Sequence, residues 1–307
     1  MNQSIVACKR TVDIGVPVVL WDTEGGLACP HRRGREACTR HNSQLNLNPP
    51  EPGITYDITD PDRAYEELKD TVYQLILHYD VCYCSRHCHQ TLTNSSYLGS
   101  HFYLDVDGTL YQTCDLYWKT NTAPADDRKG NERAVHVEMS NLSWEALLSE
   151  TSWDNVTRDQ YRLRNGRWEL ALPDRWKNTL QTPGFRPFAA RGHGERGYFS
   201  RRINGKIVRM WDYTEEQYQT LIRLCIGLNR LLPKIRLRVP YDKNKKRTPL
   251  DRIRNYSAFA GVMGHFHVQK GGVEGVSCKF DPGSAFNWPR LRRAFEKEIA
   301  NPQPFPS

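Results

Sequence analysis

The sequence has 307 residues, of which 38% are hydrophobic and 25% charged, and its formal net charge is +8 at pH 7. This composition is typical of a folded protein and excludes a largely disordered chain. No apolar run reaches the roughly 18 residues of a transmembrane helix, and the N-terminus lacks the charged and apolar regions of a Sec signal. The positive charge favours an anionic partner, such as nucleic acid, a membrane surface or an acidic wall polymer.

The N-terminal part of the chain predicts little regular structure. Residues 1–60 contain many glycine and proline breaks, so we expect an extended arm with one short strand at 18–21. A helix is predicted to begin at Asp60-Pro61, because Asp is a good N-cap and proline suits the first helical turn. We expect the remainder, 61–307, to form one domain.

The next segments predict strands. The run 72–79 is short, apolar and rich in β-forming residues, which is typical of a strand buried on both faces and ending near His78. The runs 101–106 and 110–112 flank Asp107-Gly108, which predicts a hairpin with a two-residue type I′ turn. The alternating run 134–139 predicts a strand that carries His136 and Glu138 on one face.

The C-terminal half predicts an insertion followed by helices. Residues 143 to about 210 lack steady periodicity, and we expect a long insertion folded over the core. Thr214 begins a capping box, which predicts an amphipathic helix against the sheet, and a last helix is predicted at 288–299. The basic run 243–247 indicates a solvated loop rather than a nucleic-acid site.

Potential metal ligands cluster late in the sequence. His265 and His267 follow Gly264, and Asp281 follows a glycine-rich stretch. With His78 they offer imidazoles and a carboxylate, the ligand types of a catalytic zinc that keeps a fourth position open. Such a zinc polarises a carbonyl group and lowers the pKa of water towards about 7, and amide hydrolysis needs both effects.

Five short elements follow one another in a distinctive order. They are Leu75-Ile76-Leu77-His78, Ser100-His101-Phe102 with Asp107-Gly108-Thr109, Val135-His136-Val137-Glu138, Gly264-His265 and Lys279-Phe280-Asp281-Pro282-Gly283. In this order they resemble the zinc-dependent N-acetylmuramoyl-L-alanine amidases of the type-2 amidase and peptidoglycan-recognition-protein superfamily. The resemblance covers roughly residues 70–142 and 205–295.

The resemblance implies an α/β fold, a mixed central β-sheet flanked by helices, here with the long insertion and the N-terminal arm. It implies that His78, His265 and Asp281 bind Zn²⁺. Glu138 would act as general base or orient the water, and Lys279 would stabilise the oxyanion. The implied reaction is hydrolysis of the amide bond between N-acetylmuramic acid and L-alanine in peptidoglycan or a muropeptide. Without a Sec signal, the protein would act in the cytoplasm or reach the wall by another route.

One stretch departs from the family pattern, and it leaves substrate detail open. Many members have Ala-Trp-His-Ala after the hairpin, whereas this chain has Thr120-Asn121-Thr122-Ala123. A non-catalytic muropeptide-binding module is the main alternative function. A basic nucleic-acid binder or metal nuclease built on His265 and His267 is a third, although no nucleic-acid recognition motif supports it and we expect no nucleic-acid partner.

Individual residues also have plainer interpretations. His78 alone is compatible with a hydrogen-bonded core histidine, and Asp281 before Pro282-Gly283 with a simple turn. A His-x-His pair on a strand would place His267 beside His265 as a competing ligand. The Cys/His clusters lack paired zinc-finger spacing, so we expect reduced thiols at 82–88 and at Cys29 and Cys38 rather than structural zinc or disulfides.

Overall fold

The computed structural model describes residues 2–29, 38–40, 58, 60–95, 98–143, 153–154, 159–193, 196–271 and 278–304. Among these residues no helix is both long and apolar enough to cross a membrane. His31 and His41, which belong to the same Cys/His cluster as Cys29 and Cys38, lie outside them.

The secondary structure of the described residues is as follows. The strands are β1 (Ser4–Ala7), β2 (Arg10–Asp13), β3 (Val18–Leu20), β4 (Cys38–Arg40), β5 (Gln74–Tyr79), β6 (Phe102–Leu104), β7 (Leu110–Gln112), β8 (Trp118–Thr120), β9 (Ala134–Met139), β10 (Tyr161–Arg164), β11 (Arg167–Leu170), β12 (Phe199–Ile203), β13 (Lys206–Met210) and β14 (Gly261–Gly264). The helices are α1 (Pro61–Thr71), α2 (Ser85–Ser95), α3 (Gly130–Arg133), α4 (Asp174–Lys177), α5 (Glu215–Leu231), α6 (His265–Val268) and α7 (Trp288–Ala300), with a 3₁₀ turn at Tyr256–Ala258.

A six-stranded sheet with the order β14-β5-β9-β6-β7-β3 forms the centre of the protein. The first four strands in that order are parallel, β7 is antiparallel to β6, and β3 is parallel to β7. Strand β5 is buried along its whole length, as its apolar sequence predicts. The predicted α/β fold, a mixed central sheet flanked by helices, is confirmed.

The two faces of the sheet have different coverings. Leu75 and Leu77 of β5 belong to the main core, which also contains the buried apolar residues of α5 and α7. Ile76, on the opposite face, packs in a smaller cluster with Val268 of α6 and Tyr256 of the 3₁₀ turn. Because side chains alternate along a strand, His78 lies on the same face as Ile76.

The helices begin where their capping residues predict. The Asp60 side chain accepts a hydrogen bond from Arg63 N, with Pro61 in the first turn of α1. Thr214 and Gln217 form the capping box of α5. These side chains satisfy backbone N–H groups that have no partner within the helix, which fixes where each helix starts.

The hairpin of β6 and β7 is confirmed, but the predicted two-residue turn is wrong. Leu104 pairs with Leu110, which leaves five residues between the strands. Gly108 has a φ of +83°, whereas Asp107 does not have a positive φ. The Asp107 carboxylate instead accepts a hydrogen bond from Thr109 N at 3.0 Å, and Gly108 N bonds to Asp105 O. This is the geometry of a type I turn followed by a left-handed glycine.

The arm and the insertion contain more structure than the sequence patterns predict. The predicted strand at 18–21 is present as β3 and joins the sheet, and β1 and β2 form an additional hairpin before it. The described part of 143–210 contains two further hairpins, β10–β11 and β12–β13. Their alternation is hard to recognise in the sequence because exposed arginines occupy many strand positions.

The cysteines follow the prediction only in part. Cys82, Cys84 and Cys88 are free thiols, as expected. Cys29 is disulfide-bonded, so the expectation of a reduced thiol there is wrong. It is buried in the main core.

Candidate metal centre

The topology brings distant residues to one edge of the sheet. Strands β14, β5 and β9 are adjacent and parallel, so their carboxyl ends meet. His265 follows β14 directly, His78 is near the end of β5, and Glu138 is near the end of β9. The carboxyl edge of parallel strands is where α/β proteins commonly place their ligands.

His78, His265 and Asp281 form a compact group that could hold a metal ion. One ligand atom from each lies within 4.8 Å of the other two. Asp281 Oδ2 is 2.8 Å from His78 Nδ1 and 2.9 Å from His265 Nδ1. Both imidazoles are 3% exposed. Within the described ranges this is where three or more potential metal ligands come together.

The contacts of His265 favour a cation between the imidazole and Asp281. His265 Nε2 lies 2.9 Å from Gln269 Oε1, which can only accept a hydrogen bond, so Nε2 carries the proton. In the neutral imidazole, Nδ1 then presents a lone pair to Asp281 Oδ2. Two acceptors at 2.9 Å repel each other, and a cation bound by both atoms removes that repulsion. The residues therefore fit a divalent metal such as zinc by donor type and by orientation.

His78 is supported by a second imidazole. His78 Nε2 lies 3.2 Å from His136 Nδ1. The backbone N–H of His136 donates to His101 Nδ1, and His101 Nε2 donates to Trp118 O at 2.8 Å. These buried contacts engage Nε2 of His78, and its other ring nitrogen, Nδ1, faces Asp281.

Asp281 is positioned by close contact with the end of β14. Phe266 N donates to Asp281 O at 3.2 Å, and Tyr213 OH donates to Pro282 O at 2.9 Å. A Cβ atom on Gly264 would lie 2.5 Å from Pro282 Cδ, closer than real atoms approach. Glycine is therefore required at 264 for the strand end and the Asp281-Pro282 segment to meet.

His78 and Asp281 have the protonation states that metal binding requires. Burial lowers the pKa of His78 to about 4 against the opposing effect of the Asp281 hydrogen bond, so this imidazole is neutral at pH 7. Burial alone would raise the pKa of Asp281, but the adjacent imidazoles of His265 and His78 hold it well below its usual range. Neutral imidazoles and an ionised carboxylate are the metal-binding forms.

Glu138 and Lys279 line the same cavity as the three ligand-type residues. The cavity has a volume of about 290 Å³. Burial and the charge of Asp281 raise the pKa of Glu138 well above its usual value, while the charge of Lys279 opposes the rise. Two larger cavities in the described part of the protein lie elsewhere and are not lined by these residues.

His267 is not oriented as the His-x-His pattern predicts. Residues 265–268 form the helical turn α6 rather than a strand, so the two rings do not share a face. His267 Nδ1 accepts from Gly264 N at 2.9 Å, and Nε2 donates to Pro249 O at 2.8 Å. Both ring nitrogens are occupied, and His267 cannot compete for the metal in this arrangement.

Other parts of the cavity wall were not identified from the sequence. Val81, Cys88, Leu92 and Leu98 contribute to it, and so does Thr122 from the stretch that departs from the family pattern. Gln269, whose side chain contacts His265, was not identified from the sequence either. Its spacing of four residues from His265 is a usable signal only if that segment is known to be helical.

Comparison with known proteins adds little to this geometry. No family model matches the sequence, and no curated protein matches it. Among solved structures, the crystal structure of a selenomethionine derivative of AmpD is similar at 13% identity, with a TM-score of 0.34. The matched region covers 74% of this chain and 86% of that one.

Proposed function

We propose that the protein is a zinc-dependent N-acetylmuramoyl-L-alanine amidase. It would hydrolyse the amide bond between N-acetylmuramic acid and the L-alanine of the stem peptide. The observation that carries the proposal is the convergence of His78, His265 and Asp281 in a cavity also lined by Glu138 and Lys279. All five side chains come from the sequence elements that resemble the type-2 amidases.

The roles follow from position and charge. Bound zinc would polarise the scissile carbonyl and acidify water. Glu138 accepts a proton from the attacking water and delivers it to the leaving amine as the C–N bond breaks. Burial raises its pKa above the usual value of a glutamate, which favours uptake of that proton. Lys279 supplies a positive charge for the negative charge that develops on the carbonyl oxygen.

The substrate assignment has two supports. The order of the five elements resembles a family that acts on peptidoglycan. The net charge of +8 also suits an anionic wall polymer and the carboxylates of stem peptides.

The test is digestion of purified sacculi and a defined muropeptide, with mass spectrometry of the products. Wild type is compared with His265→Ala and with His193→Ala, a control at an exposed histidine outside the cavity. Zinc-dependent release of stem peptides that begin with L-alanine, lost in His265→Ala and kept in His193→Ala, is the expected result.

Other outcomes separate the alternatives. Binding to sacculi without cleavage would identify a muropeptide-binding module. Full hydrolysis after chelation of all metal would refute the zinc mechanism.

A further inference from the structure

We infer that Gln269 is a positioning residue that fixes the tautomer of His265, so that the Nδ1 lone pair is available to the metal. The inference rests on the proposed zinc function and deepens it. It concerns a residue outside the five sequence elements.

Gln269 is joined to His265 by two hydrogen bonds. Gln269 N donates to His265 O at 3.1 Å, the backbone bond expected one helical turn apart. Gln269 Oε1 accepts from His265 Nε2 at 2.9 Å. Gln269 is only 5% exposed, so water has little access to replace the side-chain bond.

The orientation of the Gln269 amide is fixed independently. Its Nε2 donates to Gly271 O at 2.8 Å. Rotation of the amide by 180° would bring its oxygen against Gly271 O, and because two carbonyl oxygens cannot share a hydrogen bond, that bond would be lost. The Gln269 backbone is held as well, because its O accepts from Asn204 Nδ2 at 3.4 Å. The oxygen of Gln269 therefore faces His265.

The chemical consequence concerns Nδ1. Without the Gln269 acceptor, a neutral His265 would favour a proton on Nδ1, since this tautomer donates to Asp281 Oδ2 at 2.9 Å. That hydrogen bond would close the metal position, and zinc binding would have to displace the proton. With Gln269 present the proton stays on Nε2, and the free protein already has the tautomer that zinc requires.

Two variants of the full-length protein test the inference. Gln269→Met keeps the length of the side chain but removes the acceptor, whereas Gln269→Glu keeps an oxygen towards His265. Gln219→Met, at an exposed position on α5, is the matched control. Thermal unfolding of each metal-free variant reports whether the fold is retained.

The first measurement needs neither zinc nor substrate. Long-range ¹H–¹⁵N NMR of the metal-free protein at pH 8 reports which nitrogen of His265 carries the proton. We expect the Nε2–H tautomer in wild type, Gln269→Glu and Gln219→Met. Gln269→Met should show a substantial Nδ1–H population.

The second measurement is zinc affinity by competition with a chromophoric chelator. Gln269→Met should bind zinc about 10- to 100-fold more weakly than wild type, the usual cost of losing a partner of a ligand histidine. Gln269→Glu should lie closer to wild type than to Gln269→Met. A Gln269→Met protein with the wild-type tautomer and wild-type zinc affinity would overturn the inference. If wild type binds no zinc, the proposed function fails and any role of Gln269 towards the metal fails with it.

Discussion

His78 and Glu138 are direct partners across the parallel strands β5 and β9. Partner residues in register project from the same face of a sheet, so a proposed metal ligand and the proposed base stand side by side on the central sheet. The structure shows no hydrogen bond to the Glu138 carboxylate from any described residue. That carboxylate is accessible to a water molecule or substrate in the cavity.

Replacement of Glu138 should separate catalysis from metal binding. Glu138→Gln keeps the shape but cannot accept a proton, and we expect kcat to fall by about 100- to 10,000-fold. Zinc affinity should change little, because Glu138 is not one of the three ligand-type residues. Steady-state kinetics and metal content on the same preparation provide the check. Near-normal kcat with a full complement of zinc would exclude Glu138 as the base.

Lys279 should affect both the rate and its pH dependence. Lys279→Met removes the cation near the developing oxyanion, and we expect a loss of about 100- to 1,000-fold in kcat. The positive charge of Lys279 also lowers the pKa of Glu138, so its removal raises that pKa further. The rise in kcat with pH that reports ionisation of Glu138 should therefore move to higher pH. Lys279→Arg keeps the charge, and its pH profile should stay at the wild-type position.

Gly264 should be intolerant of any side chain. Gly264→Ala forces a methyl group against Pro282 Cδ, and we expect a loss of about 1 to 3 kcal/mol of stability. Zinc affinity should fall too, since the clash separates His265 from Asp281. Urea unfolding and chelator competition measure the two effects. Gly192→Ala is the control, because a Cβ there meets only ordinary contacts. Equal stability of the two variants would contradict the close approach at Gly264.

The buried His267 should make stability depend on pH in the acid range. Burial lowers its pKa to about 3, from the ordinary histidine value of 6.5. Between these values the unfolded chain binds a proton that the folded protein excludes. This contribution to stability is complete above pH 6.5 and is lost as the pH falls, by up to about 1.4 kcal/mol per pH unit.

The effect of His267 is best measured as a difference between two proteins. Unfolding free energies of wild type and His267→Asn from pH 7 to pH 4 should diverge in slope below pH 6.5. The variant should lose less stability per pH unit. Parallel curves would show that His267 titrates alike in the folded and unfolded chains.

Val81 should be a site where glycine stabilises the protein. Val81 has a φ of +58°, a region that a β-branched side chain avoids, and it is 38% exposed. Val81→Gly removes strain of about 1 kcal/mol or more at little cost in buried surface. Asp80 Oδ1, which accepts from Cys82 N at 2.9 Å, would hold the turn in place. A higher denaturation midpoint than wild type is expected, and a lower one would argue against the strain.

Much of the sheet and its helices could be predicted because local signals agree with the fold. The apolar run of β5, the alternation of β9 and the capping box at Thr214 each specify one element without help from distant residues. The resemblance of the five elements selected the residues that line one cavity.

What the sequence did not predict depends on tertiary contacts. Residues 265–268 form a helical turn because Asp281 O and the strand end hold Phe266 in place, a contact 15 residues away in the chain. The arginine-rich hairpins lack an alternating pattern, and the bond of Cys29 follows from proximity that spacing does not reveal. The contact of Gln269 with His265 can be predicted only once that helical turn is known.

The two ligands His78 and Asp281 are 203 residues apart in the chain. A polypeptide emerging from the ribosome therefore carries no complete ligand set until residue 281 has been made. Shortened products that end earlier lack Asp281 and so cannot assemble the group. If zinc binds all three residues, its binding energy can contribute to folding only after the segment that carries Asp281 has been made.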